Sequence, residues 1–210
     1  MGAGRKRKNI ANRNPLRLEL TKKEIDRVFA ERDKADWEKL IATYRHLREN
    51  ILIDKNSEGW RDYERRFNYF YQVRRNAAWR ADFYEVFFKY AKTGAADFAM
   101  IIRDIFEKRG MVEMSFASKL TGTIDPAQPI IDRHVLSFID RTPPPLTRPA
   151  EERIHGIIQL HGEMKQAFEL FLASEAGDYL LRRFEAEHPA SGVSAMKQLD
   201  FVLWQSGGKK

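Results

Sequence analysis

Apolar residues in this chain recur at intervals of three and four, and no sustained apolar–polar alternation replaces that rhythm anywhere. This constrains the fold more than any other feature. A 3.6-residue period lines one face of a helix but scatters over both faces of a strand. Trp37, Leu40, Ile41, Tyr44 and Leu47 carry it, and Phe98, Ile101, Ile102, Ile105 and Phe106 repeat it. The expectation is an all-α, compact multi-helix domain, built on one core or on two helical lobes with a cleft between them.

Local signals divide the chain. Thr21-Lys-Lys-Glu24 reads as a capping box that opens a helix bearing Ile25, Val28 and Phe29. Asp36 is suited to cap a second helix, and Asn56-Ser-Glu-Gly59 breaks the chain after it. An aromatic-rich helical stretch follows over about 60–90, in one piece or two. Thr93-Gly94 is a turn, Asp97 opens the next helix, and Gly110 closes that helix as a left-handed cap. Residues 111–113 then link tightly to a helix holding Phe116 and Lys119. Asp125-Pro-Ala-Gln-Pro129 is a turn, and Asp132 starts a helix reaching about Ile139. Pro143, Pro144, Pro145 and Pro149 make 142–149 a stiff linker. Beyond it, helices are expected over about 151–172, 178–187 and 194–205. Residues 15–206 are therefore read as a single all-helical domain, with lobes of about 15–141 and 150–206, the last helices packing back over the first lobe. Residues 1–14 are expected to be a disordered basic arm and 207–210 a frayed tail.

Composition narrows the chemistry. With 210 residues, 43% of them hydrophobic, the chain can bury one sizeable core. It has no cysteine, which excludes disulfides, thiolate metal sites, iron–sulfur clusters and a thiol nucleophile, and fits a cytoplasmic (if prokaryotic, nucleoid-associated) protein. No run of about 18 apolar residues is present to span a membrane, and the amino-terminal charges precede no apolar signal region. His46, His134, His155, His161 and His188 form no i, i+4 pair, so neither a metal nor a cofactor is expected. Gly-rich phosphate loops and Gly-x-Ser-x-Gly elbows are also missing from the sequence.

Of the net charge of +7, residues 1–13 supply five charges through Arg5, Lys6, Arg7, Lys8 and Arg13. The rest is nearly balanced, except that six arginines between Arg61 and Arg80 face only Asp62 and Glu64. Tyr63, Phe67, Phe70 and Tyr71 in that segment fall on one helical stripe, which reads as core rather than as a stacking platform. Asp200, set among apolar residues in the last helix, reads as structural, capping a neighbouring helix or bonding an indole.

The chemistry concentrates at Lys119 and Asp132. The lysine lies in Ser115-Phe-Ala-Ser-Lys119-Leu, and thirteen residues later the aspartate follows in Pro129-Ile-Ile-Asp132-Arg-His. An amine and a carboxylate at facing ends of two packed helices suit a nucleophile with a charge stabiliser, but spacing alone fits better a half-buried ion pair that fixes helix register. A lysine with a free pKa of about 10.4 is under ~0.1% neutral at pH 7. Half-neutralising it takes a depression of ~3 units, or ~4–5 kcal/mol. Burial beside Phe116 and Leu120 favours that depression and a nearby carboxylate opposes it.

These two motifs together, over about residues 94–139, resemble the helix-hairpin-helix DNA glycosylases, and most closely the archaeal 8-oxoguanine branch. One glycine, Gly110, stands where that superfamily has a Gly-x-Gly turn, and the Lys-to-Asp spacing is shorter. The resemblance implies a base-excising enzyme, with or without strand-cleaving lyase activity. Lys119 would attack the sugar C1′ and Asp132 would support the developing positive charge. It implies double-stranded DNA with a damaged or modified base as partner, a monomeric enzyme, and DNA contacts from Lys108, Arg109, Gly110, Ser115, Ser118, Arg133 and His134. Without the chemistry, the same chain would be a helical nucleic-acid-binding adaptor in which Lys119 and Asp132 form a structural ion pair.

Overall fold

The computed structural model describes residues 15–207. Among these, 68% are helical and no strand occurs. The basic arm and the last three residues lie outside the described residues. Ten helices follow one another among the described residues: α1 (Lys22–Glu31), α2 (Lys34–Glu49), α3 (Trp60–Phe70), α4 (Ala77–Thr93), α5 (Phe98–Arg109), α6 (Met114–Ile124), α7 (Arg133–Phe138), α8 (Ala150–Leu172), α9 (Glu175–Glu187) and α10 (Ala195–Gly207).

The capping box forms as expected: Thr21 Oγ1 accepts from the Glu24 amide at 3.2 Å, and Glu24 Oε2 accepts from the Thr21 amide at 2.8 Å. The second cap does not. Asp33, not Asp36, opens α2, its carboxylate accepting from Ala35 N at 2.7 Å, and Asp36 falls in the first turn. Lys34 and Ala35 extend the helix backward as good helix formers, so the nearer acid is overtaken. Serine does the same to α9, which Ser174 caps so that the helix begins at Glu175, three residues before the expected start. Gly207, assigned to the tail, is the last residue of α10.

The aromatic stretch is two helices. It breaks after Tyr71, where Gln72 adopts a left-handed conformation (φ 55°), and Asn76 caps α4 through Trp79 N at 2.9 Å. Gly110 also has the left-handed conformation (φ 63°), and its amide closes α5 on Phe106 O at 2.7 Å. Only glycine adopts that backbone without strain, so the sharp turn from α5 into α6 depends on it.

One continuous core holds these elements, from Leu16 and Leu20 through Phe67, Phe87 and Ile102 to Leu199 and Leu203. Helix α10 packs against α7 and α1 as well as against α8 and α9. The last helix therefore returns to the first half of the chain and lies against the element that begins at Asp132. Helices α5 and α6, joined by residues 110–113, pack against each other, with α4 against both.

Candidate functional site

Lys119 is the sixth residue of α6, between buried Ser118 and Leu120, so the helix itself draws its aliphatic stem inward. Its Nζ donates to the carbonyl of Tyr71 at 3.0 Å, lies 3.6 Å from Asp132 Oδ2, and stands 5.5 Å from the centre of the Phe116 ring. The short contact is thus with a backbone oxygen at the broken end of α3, while the carboxylate stands slightly beyond hydrogen-bond range. The two side chains are only 12% and 18% exposed.

Asp132 takes the place expected of it, as the N-cap of α7. Its Oδ1 accepts from the His134 amide at 2.9 Å, which leaves Oδ2 to face the amine. The segment that delivers it is pinned from three helices. His161 Nε2 of α8 lies 3.2 Å from Pro129 O, Asp200 of α10 accepts from Ile130 N at 3.5 Å, and Ser118 Oγ of α6 accepts from Ile131 N at 2.9 Å. Burial holds His161 down at about 4, so its ring is neutral near pH 7, and Pro129 O, which can only accept, fixes the proton on Nε2. Gly122 allows the approach, because a Cβ there would meet Ile130 Cγ1 at 3.1 Å and Gln128 O at 3.2 Å. Arg48 closes the other end of α6 by donating to the carbonyls of Thr123 and Ile124.

Lys119 and Asp132 open into one cleft of about 540 Å³, which Tyr71, Gln72, Lys197, Asp200 and Trp204 also line. Its electrostatics loosen the proton on the Lys119 amine. Burial is the main cause pulling Lys119 below its ordinary value. Asp132 works against it, and the positive charges of Lys197 and Arg133 add to it. Asp200 shows the mirror image: burial drives its carboxyl up to about 6, with Lys197 opposing.

Sequence reasoning passed over this second pair. Lys197 and Asp200 are one turn apart on α10, with Nζ 3.7 Å from Oδ2, and both are buried. Asp200 neither caps a helix nor bonds an indole; it braces the loop that carries Asp132. The available signal was two ionisable residues spaced i, i+3 inside an apolar helix. Trp204 stands at the cleft rim, 40% exposed, edge-on to His134 at 6.0 Å. The aromatic stripe is core at Tyr63, Phe67 and Tyr71, as expected, whereas Phe70 is partly buried and borders the cleft.

The expected DNA contacts scatter. Arg133 and His134 line the cleft and hydrogen-bond to each other at 3.2 Å. Ser118 is fully buried and committed to Ile131, so it has no surface to offer a phosphate. Lys108 is paired with Glu85 at 2.7 Å and Arg109 with Asp82 at 2.5 Å, because α4 places acids opposite them. Ser115 is partly buried at the start of α6, and Gly110 is exposed. The α6 N-terminus lacks a side-chain cap, and Glu113 before it turns inward to accept from Arg75 at 3.1 Å and from the Trp79 indole at 3.1 Å.

The arginine-rich segment is largely neutralised as well. Asp62 holds Arg65 and Arg66, Glu64 holds Arg80, and Glu113 holds Arg75. No helix among the described residues is long and apolar enough to cross a membrane, and these residues contain no metal-binding cluster of histidines and acids. A scan against protein-family models gave no match, and searches of the curated proteins and of the solved structures gave none either.

Proposed function

We propose that this protein is a DNA glycosylase in which Lys119 is the nucleophile and Asp132 the charge stabiliser. The observation that carries the reading is a desolvated lysine amine whose short hydrogen bond goes to a backbone carbonyl, with a carboxylate 3.6 Å away in the same open cleft. A volume of about 540 Å³ suits one extruded nucleoside. The neutral Lys119 nitrogen forms a bond to C1′ as the C1′–base bond breaks, and the electron pair leaves with the base. Nitrogen then loses a proton, the sugar ring opens, and a Schiff base results. Asp132 supports the positive charge that grows on the sugar, its Oδ1 anchored by the His134 amide.

The surroundings fit the same task. Trp204 offers a half-exposed aromatic face for the base, and Arg74 and Arg133 at the mouth offer cations to flanking phosphates. An oxidised purine is the substrate that the sequence resemblance suggests, with modified pyrimidines as the other class.

The adaptor reading has the ion pair in its favour and the internal neutralisation of the arginine segment against it. Borohydride trapping separates the two on duplexes that contain 8-oxoguanine, uracil, hypoxanthine, 5-methylcytosine or an abasic site. The glycosylase gives a covalent protein–DNA adduct, and Lys119→Gln abolishes it while duplex binding persists. No adduct on any of these duplexes would leave the adaptor.

A further inference from the structure

The cleft holds a second buried lysine, to which the glycosylase reading has given no role. Lys197 lies in the first turn of α10, with its side chain only 5% exposed. Its Nζ stands 5.2 to 5.8 Å from the ring centres of Tyr44, Phe70, Tyr71 and Phe201. Asp200 Oδ2 is 3.7 Å away, too far for a direct hydrogen bond, and that oxygen is buried without a hydrogen-bond partner. Four π faces and a carboxylate all attract a cation to this point. As mere filling, an apolar pair at 197 and 200 would serve as well, since replacing both members of a buried ion pair by apolar residues is often neutral or stabilising. An ionisable pair built into the wall of a cleft is a candidate functional position.

The glycosylase reading leaves one need unmet. The departing base takes the electron pair of the glycosidic bond, and neither Lys119 nor Asp132 is free to neutralise it: the first is bonded to the sugar and the second faces positive charge. We propose that Lys197 is the leaving-group acid of this cleft, an ammonium that hydrogen-bonds the departing base and gives it one proton as the C1′–base bond breaks. This rests on the glycosylase assignment of Lys119. The base leaves neutral, Lys197 is left as a free amine, and water returns the proton once the product has gone. Asp200 positions Lys197 from the adjacent turn, and the aromatic faces of Tyr44, Phe70, Tyr71 and Phe201 keep water from competing for the proton. An ammonium has three donors and no acceptor, so it is matched to a group gaining negative charge.

The test compares two half-reactions of the full-length protein. Excision is timed on whichever modified base of the panel above the wild type removes, and borohydride trapping is timed on a duplex with a preformed abasic site, where no base has to leave. Lys197→Met should slow excision by about 10²–10³, in the range of a lost general acid, and should keep abasic-site trapping within about threefold. If the unpaired Asp200 carboxylate prevents folding, Lys197→Met combined with Asp200→Asn removes it, and the same split is expected. Excision within tenfold of wild type overturns the assignment. So does an equal loss of both half-reactions, which would make Lys197 a structural residue. Absence of trapping by the wild type would instead overturn the role of Lys119, and this inference with it.

Discussion

Asp200 allows the electrostatics of the cleft to be tested without any substrate. Burial raises its carboxyl from the ordinary 3.8 to about 6, against the pull of Lys197. A carboxyl raised on folding binds its proton more tightly in the folded state. Its contribution to stability is therefore complete below about pH 4 and is lost as pH rises through about 6. Two pKa units at ~1.4 kcal/mol each give about 3 kcal/mol. Asp200→Asn keeps the size and the acceptor for Ile130 N but cannot ionise. The difference in unfolding free energy, variant minus wild type, should thus climb by about 2–2.5 kcal/mol of that total in favour of the variant between pH 4 and pH 7. Urea unfolding of both proteins at half-unit pH steps measures this. Taking the difference cancels titrations that the two share, such as that of His161. A difference that stays flat over this window, or that falls as pH rises, would refute the claim that desolvation outweighs Lys197 at this carboxyl.

Two further substitutions probe the frame of the site. Asp132→Asn should retain the α7 cap and wild-type stability yet slow base excision by orders of magnitude, whereas Asp132→Ala should also cost about 1 kcal/mol in thermal unfolding experiments. Glu113→Ala should destabilise by about 2–4 kcal/mol in urea unfolding, because the Trp79 indole and Arg75 both lose their partner; the value stays below that of a fully buried pair since the Arg75 side chain is 38% exposed.

Lys119 and Asp132 were legible in the sequence because each is set by local rules. An apolar helical context buries the lysine stem, and a proline three residues upstream delays the helix start to the aspartate. The spacing of thirteen residues left open whether they meet, since that depends on where the intervening turn is held. Ser118, His161 and Asp200 hold it, from three helices spread over more than eighty residues. The DNA-contact expectations fared unevenly for the same reason. Nothing near Lys108 or Arg109 in the sequence shows that Glu85 and Asp82 will stand opposite them once α4 packs on α5.

The sequence by itself determined the helical class, most helix boundaries and the caps at Thr21, Asp97, Gly110 and Asp132, since period, propensity and capping act within one or two turns of chain. Tertiary structure alone decided that α10 folds back against α7 and so carries Lys197, Asp200 and Trp204 into the cleft of Lys119. The chemistry of that cleft comes from burial and from charges brought together across the chain. Removal from water and proximity between distant residues exist only once the helices have packed.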